Sequence, residues 1–77
     1  MPVAVATDAT GRPRSVRRPA GGRTRAVVGL RDRWRLDDEW WRERPVSRLY
    51  YALVLEDGAL LVVFRDLIEG EWYEQRA

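Results

Sequence analysis

The sequence predicts an all-β fold, a small antiparallel barrel or highly curved sheet of about six strands with one short helical turn near residues 37–44. Segments rich in valine, leucine and aromatic residues are short and closely spaced, and most of them end at a turn that contains glycine or proline. A chain of 77 residues is also too short for two domains, so residues 1–77 are expected to form a single small β domain.

The predicted strands follow one another from the N-terminus with turns between them. They lie at residues 3–7, 12–18, 23–36, 46–56, 59–66 and 71–76. Asp8 and Gly11 supply the acceptor and the positive-φ glycine that the first turn requires. Pro13 has no N–H donor and indicates an edge or a bulge in the second strand. Gly29 marks a bend in the long third strand.

An acidic run between the third and fourth strands leads into two adjacent tryptophans. Asp37 can cap a helical turn that Pro45 would end. The same acids can in principle hold a magnesium ion, but adjacent acids that open a helical turn are more often a cap placed favourably in the helix dipole. Of Trp40 and Trp41, one is expected to fill the barrel and the other to lie at the surface as a stacking platform or protein contact.

Asp57-Gly58 is the strongest hairpin signal in the chain. A loop of two residues there divides the hairpin into a core face and a candidate contact face. The core face is predicted to hold Tyr51, Leu53, Leu55, Leu60, Val62 and Phe64. The other face is led by Tyr50 and Arg65, which are predicted to pair across the strands. It is apolar in its middle, so it needs cover from this domain or from a partner.

Charge is divided unevenly along the chain. Residues 1–35 carry nine arginines against two acids, and residues 36–77 carry five arginines against ten acids. The predicted register across residues 19–22 pairs Val16 with Arg25 and places one set of arginines on one sheet face. The other face of this hairpin, which includes Val28, is expected to lie on the core. Beyond it, Trp34 and Leu36 are expected to point inward. The set of arginines is Arg12, Arg14, Arg18, Arg23 and Arg25, extended by Arg31, Arg33 and Arg35. Such a face suits phosphate-backbone binding. It is equally consistent with a solvated face, or with arginines paired to the acidic half of the chain.

Catalytic chemistry is not indicated. The chain has no histidine or cysteine, and its two serines, Ser15 and Ser47, lie outside a Gly-x-Ser-x-Gly context. Its glycines are scattered among turns and form no phosphate-cradling loop. We therefore predict no enzyme activity, catalytic residue, metal, cofactor or small-molecule substrate. The absence of cysteine and of a basic apolar leader or long apolar run predicts a cytoplasmic protein without a membrane span.

Several motifs together resemble a known domain. They are Trp34-Arg35-Leu36-Asp37-Asp38-Glu39-Trp40-Trp41, Pro45-Val46-Ser47-Arg48-Leu49-Tyr50-Tyr51, Leu55-Glu56-Asp57-Gly58, Phe64-Arg65-Asp66 and Gly70-Glu71-Trp72-Tyr73. This pattern is similar to a small domain at the C-terminus of ImuB-like proteins, which are Y-family DNA-polymerase-like members of the bacterial damage-inducible mutasome. The domain also occurs as short stand-alone proteins of unknown function.

The resemblance implies a non-catalytic accessory module of DNA repair or translesion synthesis. Its partner would be a polymerase or another mutasome component, bound through protein contacts at Trp40, Trp41, Tyr50 and Arg65. The alternative is direct DNA binding through the arginine-rich face. An uncharacterised hydrolase is the third possibility, and the residue inventory argues against it.

Overall fold

The computed structural model describes residues 2–18, 22–38 and 46–75. They form six strands: β1 (Ala4–Thr7), β2 (Pro13–Arg17), β3 (Arg25–Asp38), β4 (Val46–Leu55), β5 (Leu60–Asp66) and β6 (Trp72–Glu74). All neighbours pair antiparallel in the order β1-β2-β3-β4-β5-β6. Pro2 bridges to Tyr73, and the Val3 N–H donates to the Trp72 carbonyl at 3.1 Å, so the sheet nearly closes into a barrel.

The predicted fold class is therefore confirmed, and the predicted strand ends differ from the observed ones by at most two residues. One detail differs at the end of β3. This strand continues through Asp38, so a helical turn does not begin at Asp37. Residues 39–45, which include Trp40 and Trp41, lie outside the described residues.

The core lies on one side of the sheet, here called the inner face. Its buried residues are Val3, Val16, Tyr51, Leu53 and Val63, packed against Val5, Val27, Leu30, Leu49, Leu61 and Trp72. The opposite side is called the outer face. Alternate residues of β4 serve the two faces, so that Tyr51 and Leu53 point inward while Tyr50 points outward.

The β4–β5 hairpin closes with three loop residues instead of the predicted two. The Leu55 N–H donates to the Ala59 carbonyl, and the Gly58 N–H donates to the Leu55 carbonyl, both at 2.9 Å. Gly58 has φ of 83°, which gives a type I turn followed by a left-handed residue. The extra residue shifts β5 by one position.

Because of that shift, the β5 half of the predicted core face is wrong. Tyr51 pairs with Val63, and Tyr50 pairs with Phe64. Leu60, Val62 and Phe64 therefore belong to the outer face, whereas Leu61 and Val63 point to the core. The residues predicted on β4 were assigned correctly, because a change in loop length moves only the strand that follows it.

The β2–β3 hairpin has the predicted register but the opposite orientation. Val16 pairs with Arg25, as expected. However, Val16 is buried in the core, whereas Val28, predicted to point inward, is 65% exposed. The large apolar side chain determines which face is buried, and the arginines on that face must then reach solvent at its ends.

Two irregularities in β3 reverse its alternation. The register against β4 shifts between Val27 and Gly29 and again between Leu30 and Asp32. Leu30 still packs on the core, but beyond the second bulge Trp34 and Leu36 lie on the outer face, 42% and 41% exposed. The prediction that Trp34 and Leu36 point inward is wrong, because the residue inserted at the second bulge exchanges the two faces between Leu30 and Asp32.

The left-handed conformation of Gly58 can be tested by substitution. Gly58→Ala should lower the free energy of unfolding by about 1–2 kcal/mol, because an L side chain strains a left-handed backbone. Gly58→Asn should cost less, since asparagine tolerates this region. Gly29→Ala is the matched control: its new Cβ would lie 3.7 Å from the Val54 Cβ, an ordinary contact, at a backbone without positive φ. Urea unfolding of the three variants measures the difference, and equal losses at Gly58 and Gly29 would contradict the left-handed conformation of Gly58.

Candidate functional site

Four aromatic side chains cross the outer face in a single row. Trp34, Tyr50, Phe64 and Tyr73 come from β3, β4, β5 and β6, and each is directly opposite the next in the strand register. Their ring centroids are 5.2, 5.1 and 5.3 Å apart in that order. Neighbouring rings at this separation are in contact, so we call this set the aromatic row.

The middle of the aromatic row is buried and its β3 end is accessible. Tyr50 is 7% exposed and Phe64 9%, whereas Trp34 is 42% exposed and stacks on Tyr50 with only 3° between the ring planes. Arg48 covers the Phe64 ring, with its guanidinium carbon 4.6 Å from the centroid, and donates from Nη1 to the Tyr50 hydroxyl at 3.3 Å. Trp34 is therefore held on a rigid support while much of its own surface faces solvent.

At the other end of the row, Tyr73 is tied to the turn before β6. Its hydroxyl donates to Glu69 Oε2 at 2.9 Å, and this bond raises the pKa of the phenol above its ordinary value. The two ends of the row thus differ, since Tyr73 has a local hydrogen-bond partner and Trp34 presents an apolar ring.

Trp34 also lies at an edge of the sheet. Among the described residues, β2 pairs with β3 only at Arg25 and Ala26, whereas β4 pairs with β3 as far as Asp38. Within this part of the chain, the side of β3 opposite β4 therefore has no neighbouring strand from Val28 to Asp38. We call this side the β3 edge.

Three of the eight arginines predicted to bind nucleic acid are paired with carboxylates. Arg18 contacts Glu74 at 2.5 Å, Arg25 contacts Asp57, and Arg35 contacts Asp37 at 2.7 Å. Glu74 is only 5% exposed and raises the pKa of the Arg18 guanidinium. The Ser47 hydroxyl, and after it Arg35, lowers the pKa of Asp37. For these three arginines the structure favours the alternative stated above, in which the arginines pair with acids of residues 36–77. Glu74 and Asp57 are distant in sequence from the arginines that they contact.

Three other arginines surround the opening between β2 and β3. A cleft of about 420 Å³ is lined by Asp8, Arg12 and residues 13–14 of β2 on one side and by residues 26–29 of β3 on the other. A second cleft of about 250 Å³ is lined by Arg12, Arg33, Leu30 and Tyr51, among others. Arg12 is common to both clefts, so Arg12, Arg14 and Arg33 form one basic cluster where the strands separate.

The remaining two predicted arginines lie elsewhere. Arg31 occupies the second bulge of β3 and is exposed, and Arg23 is exposed in the connection that precedes β3. The eight arginines therefore do not form the single continuous face that the sequence pattern predicted. The bulges of β3 and the ion pairs divide them.

The predicted protein contacts are also separated. Tyr50 is buried as the support of Trp34, and Arg65 is exposed on the opposite face, with its guanidinium carbon 5.9 Å from the Trp72 ring centroid. Their predicted cross-strand pairing is wrong because of the one-residue shift of β5. Trp40 and Trp41 lie outside the described residues.

Trp34 and Leu36 are the residues of this surface that the sequence interpretation missed. Both were assigned to the core because strict alternation was continued through β3. The sequence does contain one relevant signal: Arg31, Asp32 and Arg33 are three consecutive charged residues, which a half-buried strand accommodates only where its alternation is broken.

Comparisons with protein-family models, with curated proteins and with solved structures find no match for this chain. The resemblance to the ImuB-like domain therefore stays a prediction based on the sequence motifs. No helix long and apolar enough to cross a membrane occurs among the described residues. The cytoplasmic location stays a prediction as well.

The basic cluster depends on the β1–β2 turn, which Asp8 organises. Asp8 Oδ1 accepts hydrogen bonds from the Thr10 hydroxyl at 2.6 Å, the Thr10 N–H at 2.9 Å and the Arg12 N–H at 3.1 Å. These bonds, led by that of the Thr10 hydroxyl, lower the pKa of Asp8 below its ordinary value of 3.8. The Asp8 carboxylate thereby fixes the backbone of Arg12 beside both clefts.

This arrangement predicts a pH dependence. Because the pKa of Asp8 is lower in the folded state, its contribution to stability is present above pH 3.8 and is lost as the pH falls through the folded pKa. Thr10→Ala should move the Asp8 pKa up towards 3.8 and reduce this acid-dependent loss. Carboxyl NMR titration of both proteins measures the shift, and an Asp8 pKa that is the same in both would contradict the role of Thr10.

Proposed function

We propose that this chain is a non-catalytic interaction module of DNA repair or translesion synthesis that binds a polymerase or another mutasome component. The resemblance of its motifs to the ImuB-like domain supports the biological setting. One structural observation supports the mode of action: the half-exposed Trp34 ring is stacked on a buried Tyr50 at the β3 end of the aromatic row.

A supported and partly exposed tryptophan has the properties of a protein contact residue. Tryptophan contributes a large contact area with few rotatable bonds, and such residues dominate the binding energy of many interfaces. Trp34 is already ordered by stacking, so a partner loses little further side-chain entropy on binding it. Leu36, two residues along the same outer face, adds an exposed apolar side chain beside it.

The contact residue in this proposal is Trp34, with Tyr50 as its support. This differs from the sequence prediction, in which Tyr50 and Arg65 were both expected to contact the partner directly. The two roles can be distinguished because a support residue stabilises the free protein, whereas a contact residue acts mainly on binding.

Trp34→Ala should weaken binding to a purified polymerase or mutasome component by at least about tenfold, equivalent to about 1.4 kcal/mol. Val28→Ala is the matched control, because Val28 is also on β3 and 65% exposed but lies outside the aromatic row. Biolayer interferometry measures the affinities, and circular dichroism establishes that both variants remain folded. Equal affinity of the two variants would reject Trp34 as the contact, and no binding by the unaltered protein to any such component would reject the proposed function.

Direct DNA binding is a second candidate function, favoured by the basic cluster of Arg12, Arg14 and Arg33. Arginine forks match phosphate oxygens, and the two clefts provide space beside them. The footprint proposed here is smaller than the sequence predicted, because Arg18 and Arg25 are paired with acids and Arg35 lines neither of the two clefts.

If this candidate is correct, the affinity for an oligonucleotide should fall with salt at a log–log slope of about −2 to −3, since roughly three phosphates are neutralised at −0.7 to −0.9 each. Arg12→Glu/Arg14→Glu should abolish binding, whereas Arg17→Glu/Arg23→Glu, with the same charge change away from the clefts, should retain most of it. Fluorescence anisotropy at two salt concentrations provides the measurement. No binding at ~50 mM salt would reject this candidate.

A further inference from the structure

We infer that the β3 edge accepts an extended segment of the partner as an additional strand, in which acidic and apolar residues alternate. This inference rests on the proposed function and specifies the kind of partner segment that it would recognise. The surface involved consists of residues 31–37 of β3, which include Trp34 and Leu36.

The backbone provides the first reason. A strand bonded on one side leaves the N–H and C=O groups of every second residue directed to the other side, where an extended peptide can pair with them. Among the described residues, β3 is paired with β4 as far as Asp38, but no strand pairs with its other side beyond Ala26. The Arg33 N–H donates to Asp32 Oδ1 at 2.8 Å, an exposed local bond that an added strand could replace. The edge is long enough for a segment of about seven residues.

The side chains provide the second reason, and they specify the sequence of the segment. Arg33 and Arg35 pair with Tyr51 and Leu49, so both lie on the inner side of the sheet, where the barrel opens. Trp34 and Leu36 lie on the outer side. A strand added at this edge would place alternate residues beside arginines and beside apolar side chains. The complementary segment is therefore acidic at one set of positions and apolar at the other.

The existing ion pair of Arg35 does not prevent this. The side chains of Arg35 and Asp37 are 61% and 50% exposed, and ion pairs at such positions contribute little. A carboxylate of the partner can therefore replace Asp37 at a small cost. Arg33 lines the smaller cleft, which leaves space on its inner side for an acidic side chain.

The chemistry of the edge also argues against other occupants. In an antiparallel pairing of two copies centred on Trp34, Arg33 of one copy would face Arg35 of the other, and like charges directly opposite are destabilising. A nucleic acid offers no ladder of N–H and C=O groups with which the edge could pair. An acidic peptide strand satisfies both the backbone and the arginines.

The experiment uses a fluorescein-labelled peptide of about eight residues in which glutamate and valine alternate. Anisotropy should show micromolar binding to the full chain. A peptide with lysine in place of glutamate should not bind. A peptide in which one valine and an adjacent glutamate are replaced by proline should bind at least about tenfold more weakly, because one of two adjacent residues directs its N–H to the ladder and proline cannot donate. Amide hydrogen exchange should slow within residues 31–37 when the acidic peptide is added.

Charge reversal on the protein gives the matched comparison. Arg33→Glu/Arg35→Glu should weaken binding of the acidic peptide by at least about tenfold. Arg17→Glu/Arg23→Glu carries the same charge change away from the edge and should remain within about threefold. Circular dichroism establishes that both double variants are folded, and light scattering reports whether the peptide-free protein is a monomer.

Four outcomes would overturn the inference. They are no change in the anisotropy of the acidic peptide with the protein in about 100-fold excess, an equal loss of affinity in the two double variants, equal affinities for the proline peptide and the acidic peptide, or self-association through residues 31–37.

Failure of this inference can be distinguished from failure of the proposed function. If Trp34→Ala weakens binding to a mutasome component but Arg33→Glu/Arg35→Glu does not, only the proposed added strand is rejected. If the peptide binds as expected and no mutasome component does, the edge is confirmed and the biological setting is rejected.

Discussion

The register of β3 against β4 determines most of the surface of this molecule. Its second shift, between Leu30 and Asp32, places Leu30 in the core and Trp34 on the outer face of the same strand. Without that inserted residue, Trp34 would point inward and the aromatic row would end at Tyr50. The bulge thus extends a buried aromatic contact to the edge of the sheet, where a partner can reach it.

The burial of β4 on both faces is the second constraint. Tyr51, Leu53 and Leu55 fill the inside of the barrel, while Tyr50 is covered outside by Trp34, Phe64 and Arg48. A small domain has little core, so the outer aromatic contacts add stability that the interior alone would not supply. Trp34 consequently serves two purposes, since the same ring that shields Tyr50 is the one that remains accessible.

The strands and their order could be predicted from the sequence, because turn residues and strand-forming segments are local properties. Gly58 marked its hairpin correctly, but the choice between two and three loop residues depends on backbone geometry that Asp57-Gly58 permits in both forms. The bulges of β3 were not predictable from alternation alone. Of the residues singled out from the sequence, Tyr50 lies in the aromatic row and Arg12, Arg14 and Arg33 lie in the basic cluster, but these groupings required the observed register.

The charged residues of the β3 edge bear on both self-association and the choice of a partner. Charges and bulges on an edge strand prevent pairing between identical copies, which is how natural sheets avoid aggregation. The same charges permit pairing with a strand of opposite charge, so protection against self-association and selection of a partner are not in conflict. In the proposed complex, Trp34 adds apolar contact area beside arginines that favour a carboxylate at alternate positions of the incoming segment. An edge carrying only apolar residues would bind more strongly but without this discrimination, since it would pair equally well with itself.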